Sequence, residues 1–469
     1  MLRLHDTMTR DLKPVEPLEE GHVRLYTCGP TVYARAHIGN FRAYLFEDVL
    51  RRVLEQRFPR VTHVMNLTDV EDKIIRNAVA HGSSLDEETE PWIRAFYDDL
   101  DGLGIRRAHH YPRATEYVEQ MVELIERLDE RGATYRSDGG IYFSIAAFPS
   151  YGRLSGLRAE GLVAGASGRV DADEYGKEDV RDFALWKNVG PDEIGWETRL
   201  GRGRPGWHIE CSAMSMSLLG ESFDIHCGGV DNIFPHHENE IAQSEAATGV
   251  PFVRLWCHNE HLRVEGEKMS KSLGNFHTVR DLIEQGARPS AVRYLLGATA
   301  HYRRQLNYTA ESLHGSSEAV ERFATFRDRL LALPPRRGEG GPAVLLAERA
   351  VREFDAALDD DLNLPEGMGA VFTALRDANA MLDAGAVDAA GRTALLGLVG
   401  RVDDILGVLP LVDREREAAL TPEVRGLLED RAQARAERDW TRSDGLRDQL
   451  AALGVGVEDT PQGQRWRRL

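Results

Sequence analysis

The spacing of apolar residues between positions 23 and 67 constrains the fold of this chain more than any other feature. Residues 23–27 alternate like a short strand, and residues 61–67 form a second strand pattern. Between them, apolar side chains recur on one face of a helix: Ile38, Phe41, Leu45, Val49 and Val53. A further helix is expected after the second strand, capped by Asp69 and Asp72. Strands and helices that alternate in this way predict a parallel sheet in an α/β fold.

Length and composition are those of an ordinary soluble protein with several folding units. A chain of 469 residues is too long for one hydrophobic core, and 42% hydrophobic with 29% charged residues is typical of globular proteins. The first residues do not form a signal peptide, and no apolar run is long enough to cross a bilayer, so we expect a cytoplasmic protein. The net charge of -18 argues against indiscriminate binding of nucleic acid; a polyanionic partner would need local basic patches.

The loop between the first strand and its helix carries two chemical groups. Cys28 lies at the end of the strand and can supply a thiolate, whereas His37 and Gly39 stand at the start of the helix. The N–H groups of a helix start attract phosphates, and Gly39 has no side chain to prevent close approach. The imidazole of His37 can hydrogen-bond to a phosphate there. Taken singly, such residues are more often a surface histidine and a buried cysteine, and it is their counterparts downstream that favour a triphosphate site.

The cysteines are few and scattered, which favours thiol or metal chemistry over a disulfide framework. Two of them, with one imidazole and one carboxylate, form a possible tetrahedral zinc set: Cys28, Cys211, His236 and Glu240. His236 and Glu240 are four residues apart and share one face of a helix that is expected to have Pro235 in its first turn. The residues alone leave four rival ligands open: His226, Cys227, His237 and Glu238.

Two further segments suit a nucleotide. Residues 268–272, Lys-Met-Ser-Lys-Ser, follow a glycine turn and place Lys268 and Lys271 on a polar loop that can close over pyrophosphate as negative charge builds there. Gly229 and Asp231 follow a strand, where backbone can pack on a flat ligand and a carboxylate can meet ribose hydroxyls. Lysine–serine loops are common, but one that accompanies a His-Ile-Gly helix start in the same chain is rarely a matter of chance.

At these residues the chain resembles the class I aminoacyl-tRNA synthetases, and within that class the cysteinyl-tRNA synthetase family. Residues 37–40 and 268–272 are similar to the two class signatures, and residues 27–33, 205–211 and 234–240 are similar to motifs of the family. The resemblance implies an enzyme that activates L-cysteine with ATP and magnesium. It also implies that the cysteinyl group is transferred to the 3′ end of tRNA-Cys.

The resemblance further implies roles for single residues. One zinc per chain would be held by Cys28, Cys211, His236 and Glu240. The catalytic residues would be His37, Asn40, Lys268 and Lys271, with Lys271 as the main lysine on ATP. The ATP contacts would come from His37, Gly39, Asn40, Gly229, Asp231 and Lys271. The contacts with cysteine would come from Cys28, Thr68, Trp207 and His226.

Two positions depart from the family pattern. Asn40 stands where the first signature has a second histidine; an amide can donate a hydrogen bond but cannot act as an acid. Cys227 stands where we expect glycine, and it adds a third thiol near the metal ligands.

The expected organisation is a Rossmann-like catalytic domain with an insertion, followed by a helical bundle and a small anticodon-binding domain. In chain order the units are residues 1–127 (catalytic, first half), 128–205 (insertion), 206–262 (catalytic, second half), 263–333 (second signature and stem-contact helices), 334–342 (linker), 343–415 (bundle) and 416–469 (anticodon binding). In the last unit Trp440 and Asp444 resemble the family. Trp466, flanked by Arg465, Arg467 and Arg468, is expected to stack on anticodon bases.

Two other functions stay open on the sequence. A cysteine ligase of the same ancestry that acts on an amino-sugar would share both signatures but lack a tRNA-binding end, and residues 343–469 weigh against it. A catalytically inactive zinc protein that only binds RNA is disfavoured by the intact His37, Lys268 and Lys271. We expect a monomer that does not associate with membranes.

Overall fold

The computed structural model describes residues 1–137, 139–157, 182–270, 273–334, 338, 341–460 and 463–468. In chain order its strands are β1 (Arg3–Asp6), β2 (Asp11–Pro14), β3 (His22–Thr27), β4 (Arg60–Met65), β5 (Thr134–Ser137), β6 (Gly140–Phe143), β7 (Phe183–Asn188), β8 (Trp196–Thr198), β9 (Gly201–Pro205), β10 (Phe223–Gly229), β11 (Val253–Asn259), β12 (Leu262–Val264), β13 (Glu267–Lys268), β14 (Leu306–Tyr308), β15 (Val455–Thr460) and β16 (Gly463–Arg468). The helices are α1 (Ile38–Arg57), α2 (Asp72–His81), α3 (Leu85–Gly102), α4 (Val118–Glu130), α5 (Trp207–Leu219), α6 (Glu238–Thr248), α7 (Val279–Glu284), α8 (Pro289–Ala298), α9 (Ala310–Leu331), α10 (Gly341–Asp359), α11 (Leu364–Asp383), α12 (Ala389–Leu406), α13 (Leu409–Ala418), α14 (Pro422–Ala436) and α15 (Trp440–Ala452).

The central sheet has four parallel strands in the order β11–β10–β3–β4. Leu25, at its middle, lies opposite Ile225 on one side and His63 on the other. Parallel strands end at a common edge, so the loops after β3, β4 and β10 converge there. The α/β fold with a parallel sheet that the sequence predicts is confirmed.

Helix α1 packs on this sheet with the apolar face that its spacing predicts. Ile38, Phe41 and Val53 are fully buried, and Ile38 and Phe41 belong to a core that also includes residues of α3 and α8. His37 caps the helix start: its Nδ1 accepts the N–H of Asn40, and Asn40 Oδ1 accepts the N–H of His37, at 3.1 Å each. The first signature is therefore a helix N-terminus, as expected.

The insertion forms a separate antiparallel sheet in the order β5–β6–β7–β9–β8. Its buried residues, Phe143, Leu185 and Trp186, join the core that holds α4 and α5. The insertion is thus packed against the catalytic domain. Residue 138 and residues 158–181 of the predicted insertion lie outside the described residues.

Two local expectations are wrong. Asp69 does not cap α2: its carboxylate accepts the N–H and hydroxyl of Thr115 at 2.9 and 2.6 Å, and Glu71 caps the helix instead. Helix α6 does not begin at Pro235 but at Glu238, after a π-helical turn over Ile233–His237 that contains a cis Phe234–Pro235 bond. Phe234 is extended, as a residue before proline prefers, so the regular helix starts later.

The chain divides into two compact units, Met1–Val408 and Leu409–Leu469. The three bundle helices α10, α11 and α12 belong to the first unit, so the structural division falls after Val408, whereas the sequence suggested a boundary between 415 and 416. Arg293 and Arg52 join the bundle to the catalytic domain by donating to the carbonyls of Leu406 and Asp404 at the end of α12. None of the described helices has the length and apolar character that a membrane span requires.

The second unit consists of α13–α15 and the β15–β16 hairpin around a small core. Trp466 is half-buried and packs against that core, which includes Leu428 and Leu450. Arg431 is buried and pairs with Asp459 at 2.9 Å. Trp466 therefore contributes to this core, and its stacking on anticodon bases stays a prediction. The side chains of Arg465, Arg467 and Arg468 lie outside the described residues.

Candidate active site and metal centre

The candidate site lies where β3, β4 and β10 end. Strand β3 leads directly to Cys28, and α5 places Cys211 one turn from its start. The π-helical turn holds His236, and α6 holds Glu240 one turn later. The four residues therefore meet at one edge of the sheet, although the first, Cys28, and the last, Glu240, are more than 200 positions apart in the chain.

The structure brings the four predicted zinc ligands together. One donor atom each from Cys28, Cys211, His236 and Glu240 lies within 4.8 Å of all the others. Cys28 is half-buried and the other three are buried. A second, overlapping group within the same distance consists of Cys28, His226, His237 and Glu240. Geometry alone thus keeps His226 and His237 as rivals.

The electrostatics of the group suit a cation. The hydrogen bond with Cys211, burial and the charge of Glu240 raise the pKa of the Cys28 thiol well above its usual value. For Cys211, the Cys28 bond lowers the pKa, but burial and Glu240 outweigh it and leave the pKa raised. Burial, only partly offset by His236, raises the pKa of Glu240 to about 7. The deprotonated forms of these three side chains carry negative charges that lie close together and away from water, and a metal cation would stabilise them.

The donor set itself tests whether zinc fits. Two sulfurs, one imidazole and one carboxylate are all accepted zinc ligands. Oε1 of Glu240 is buried and receives no hydrogen bond from the described residues, although it lies 3.1 Å from His236 Nε2. A buried carboxylate oxygen without a donor needs another partner. The residues present therefore fit a zinc ion.

Further histidines surround this group. His226 Nε2 lies 3.0 Å from Glu240 Oε2, and burial lowers the pKa of His226 to about 3, so it is neutral. His208 Nδ1 lies 2.9 Å from His236 Nδ1, and His237 Nε2 lies 3.2 Å from Cys28 Sγ. Such contacts hold ligands in orientation. His226 is fully buried, and its predicted contact with cysteine stays a prediction.

The other two rival ligands are engaged elsewhere. The carboxylate of Glu238 accepts the backbone N–H groups of Gly152 and Ser155, at 2.9 and 2.8 Å, and so anchors a turn of the insertion. Cys227 lies opposite Cys257 in the sheet, and burial, the Cys257 thiol and Glu47 raise its pKa. Neither belongs to a donor group of the described residues. The extra thiol at position 227 therefore does not compete with Cys28 and Cys211.

The two signatures touch each other. A Cβ on Gly39 would lie 3.2 Å from Met269 Cε and 3.0 Å from the His37 ring, so a side chain here would crowd both signatures. The N–H of Ile38 donates to His277 O at 3.0 Å. Lys268 ends β13 beside this contact, whereas Lys271 and Ser272 lie outside the described residues. Gly229 and Asp231 follow β10 at the same edge of the sheet.

Of the predicted cysteine contacts, Trp207 stacks on His236 with ring centroids 4.3 Å apart and is 36% exposed, so its outer face is open to a ligand. Thr68 is buried within hydrogen-bond distance of Asn66 and Glu210. The sequence reasoning missed the last two. Asn66 could have been found from its place at the end of a predicted strand, but Glu210 carries no such signal.

Comparison with known proteins identifies the family. The tRNA synthetases class I (C) catalytic domain matches residues 14–318, the DALR domain residues 353–410, and the cysteinyl-tRNA ligase anticodon binding domain residues 417–467. Cysteine–tRNA ligase of Protochlamydia amoebophila is 47% identical over 471 residues, covering 100% of this chain and 98% of that protein. The chain belongs to the cysteine–tRNA ligase family. The same enzyme of Solibacter usitatus is also 47% identical, covering 100% and 99%.

Solved synthetases share the fold at much lower identity. A Mycobacterium tuberculosis methionyl-tRNA synthetase structure bound by methionyl-adenylate has a TM-score of 0.62 at 17% identity, covering 90% of this chain and 96% of that one. The prediction of an aminoacyl-tRNA synthetase of the cysteinyl family is confirmed. The anticodon-binding match at residues 417–467 also disfavours the amino-sugar ligase.

Proposed function

We propose that this chain activates L-cysteine with ATP to cysteinyl-adenylate and transfers the cysteinyl group to the 3′ end of tRNA-Cys. Membership of the cysteine–tRNA ligase family supports this reaction. The observation that carries it is the convergence of Cys28, Cys211, His236 and Glu240 at the edge of the sheet from which the loop after β3 leads to α1. A thiol-selective centre and a phosphate-attracting helix start then face one substrate.

Zinc would be held by Cys28, Cys211, His236 and Glu240. When bound, the ion would attract the substrate's thiolate and lower the pKa of its thiol, whereas the hydroxyl of serine is a far poorer ligand. His208 and His226 contact His236 and Glu240 and hold their orientation. Trp207, stacked on His236, would cover the amino-acid side chain.

The nucleotide would bind across the two signatures. The N–H groups at the start of α1 and the imidazole of His37 would hydrogen-bond to the phosphates, while Gly229 and Asp231 would meet the adenosine. Lys268 and Lys271 would neutralise the charge that builds on pyrophosphate as it leaves. Asn40 would act differently from an acid: its side chain accepts the backbone N–H of His37, and its own backbone N–H donates to His37 Nδ1 and holds the imidazole at the helix start.

The tRNA would be read by the second unit, to which the anticodon-binding match points. A monomeric state, a cytoplasmic location and magnesium as the partner of ATP stay predictions. The first test is cysteine-dependent exchange of pyrophosphate into ATP, followed by charging of a tRNA transcript with a GCA anticodon. Exchange with serine and no exchange with cysteine would contradict the proposal.

The metal is tested by zinc content. Purified chain should hold one zinc, and Cys211→Ala should lose most of it. Cys227→Ala is the matched control, because it removes a thiol that is equally buried but outside the donor group, and it should keep its zinc. Full zinc in the Cys211 variant would move the site to the second group with His226 and His237.

A further inference from the structure

A half-buried aromatic side chain in the segment that follows the second signature packs on His37. The rings of Phe276 and His37 have centroids 5.3 Å apart and planes inclined at 85°, which is an edge-to-face contact. Both values lie in the range that aromatic pairs prefer. A residue outside both signatures therefore contacts the imidazole that is proposed to bind the phosphates.

The hydrogen bonds of His37 determine which of its nitrogens can serve a phosphate. Nδ1 accepts the N–H of Asn40 at 3.1 Å. An imidazole nitrogen that accepts a hydrogen bond carries no proton, so the N–H of the ring is at Nε2. Only Nε2 can then donate to a phosphate oxygen. The direction in which this N–H points depends on how the ring is held.

Three contacts restrict the imidazole ring. The bond from Asn40 holds Nδ1, and a Cβ on Gly39 would lie 3.0 Å from both Cε1 and Nδ1 of His37, so the ring packs over this glycine. Phe276 makes the third contact. The χ2 angle of histidine has a broad preference, so the side chain by itself does not fix the plane of the ring. The contacts with Gly39 and Phe276 therefore limit how far the ring turns about its bond to Asn40.

Backbone contacts hold Phe276 at this place. The carbonyl of His277 accepts the N–H of Ile38 at 3.0 Å, and Thr278 forms an antiparallel bridge with His37. Thr278 also caps the start of α7. The residues directly after Phe276 are thus paired with the start of α1, which fixes the position of the Phe276 ring relative to the imidazole.

We propose that Phe276 is a positioning residue for phosphate recognition. Its ring sets the plane of the His37 imidazole, so that the Nε2–H is directed to the phosphates of ATP. An imidazole that turns more freely would form this hydrogen bond for a smaller part of the time. The inference rests on the proposed function and deepens it, because it adds a residue outside both signatures to the nucleotide site.

Phe276→Leu tests this role, because it keeps an apolar side chain but removes the ring. We expect the kcat of pyrophosphate exchange to fall about 3- to 10-fold, within the range for loss of one aromatic pair, with the KM for L-cysteine within about twofold and the zinc content unchanged. Phe276→Tyr keeps the ring and should recover most of the lost activity. Phe58→Leu is the matched control: Phe58 is also half-buried but follows the other end of α1, about 30 Å away, so exchange should be unaffected.

A double-mutant cycle tests whether Phe276 acts through His37. His37→Asn keeps a side chain that caps helices well but removes the imidazole. Adding Phe276→Leu to His37→Asn should change kcat by less than about twofold, because no imidazole is left to orient. If Phe276 only anchored the second-signature loop, where Asn275 donates to the carbonyl of Lys268 and accepts the N–H of Ser270, the loss would persist in that background.

Four outcomes would overturn the inference: an unchanged kcat in Phe276→Leu, the full loss in the His37→Asn background, a tyrosine variant as slow as leucine, or an equal effect on the KM for cysteine. If Phe276→Leu does not fold, Phe276→Met, with its flexible side chain, replaces it with the same expectations. If the unaltered chain shows no cysteine-dependent exchange, the proposed function fails and the inference with it; an active chain without coupling between Phe276 and His37 overturns the inference alone.

Discussion

Removing the charge of Asp48 is expected to destabilise the first unit strongly. Asp48, on α1, is fully buried and accepts hydrogen bonds from Arg293 Nη2 at 2.5 Å, Arg52 Nε at 2.8 Å and the N–H of Arg106 at 2.9 Å. Asp48→Asn keeps the size of the side chain but leaves two buried guanidinium groups without a counter-charge. Breaking a buried ion pair from one side costs about 3–5 kcal/mol.

We expect the destabilisation by Asp48→Asn to lie at the lower end of that range, because both arginines also donate to backbone carbonyls. Arg52 donates to Asp404 and Gly104, and Arg293 donates to Leu406 and Leu103. An unfolding entropy of about 2 cal/mol/K per residue gives roughly 0.9 kcal/mol per degree for a unit of the length of Met1–Val408. A loss of about 3 kcal/mol therefore lowers Tm by about 3–4 °C.

Differential scanning calorimetry at neutral pH with zinc present measures this shift. Asp383→Asn is the matched control: Asp383 pairs with Arg329 at 2.5 Å on the surface, where its side chain is 70% exposed, so its loss should cost about 0–1 kcal/mol. A Tm of the Asp48 variant no lower than that of the control would refute the reasoning, since it would mean that the carbonyls alone satisfy the two arginines.

The pH dependence of this difference follows from the pKa of Asp48. Burial raises that pKa, but Arg293, Arg52 and the N–H of Arg106 outweigh burial and hold it below the usual 3.8. A depressed pKa in the folded state stabilises the protein above the unfolded value, and the stabilisation is lost as pH falls through the folded value. The Tm difference between the unaltered chain and Asp48→Asn should therefore be constant from about pH 5 to 8 and shrink only below about pH 4.

Three further predictions concern the site. Gly29→Ala should lose zinc and slow pyrophosphate exchange by more than about tenfold, because its Cβ would lie 1.7 Å from the carbonyl oxygen of Asn66 and displace the loop of Cys28; Gly102→Ala, with open space at its Cβ, should do neither. Lys271→Ala should slow exchange with little change in the KM for cysteine, and an equal loss in both would make this lysine structural. Truncation after Val408 should keep exchange and abolish efficient tRNA charging, and normal charging by the truncated chain would refute the anticodon reading of the second unit.

The elements of the central sheet were predictable because their signals are local. The strand and helix periods of residues 23–67 correspond to β3, α1 and β4, and the faces predicted to be buried are buried. The cap of α2 was not predictable, because Thr115 competes for Asp69 from more than 40 residues away. Local pattern can name a residue that could cap a helix, but it cannot exclude a better partner elsewhere in the fold.

The candidate site, too, was only partly predictable from the sequence. Residue types and the family resemblance pointed to the four zinc ligands, yet two of the four rivals, Glu238 and Cys227, could be set aside only in three dimensions. Glu238 is one residue from His237 in sequence, but its carboxylate faces the insertion turn at Gly152. Cys227 ends up on the side of the sheet that holds Glu47 and Cys257. Which way a side chain points from a strand or a helix depends on register and packing, and a change of one position reverses it.

The placement of the bundle is the strongest case of a tertiary contact overriding a sequence signal. Proline and glycine in residues 334–342 mark a linker, and from the sequence the chain could be cut there without harm to the ATP chemistry. In the structure Arg293 reaches from α8 to the carbonyl of Leu406, and Tyr302 and Arg303 donate to Asp361 at 2.5 and 2.6 Å. Truncating the chain at 334–342 would remove the hydrogen-bond partners of Arg293, Tyr302 and Arg303. The linker therefore joins two parts of one folded unit, and the division between the compact units falls after Val408.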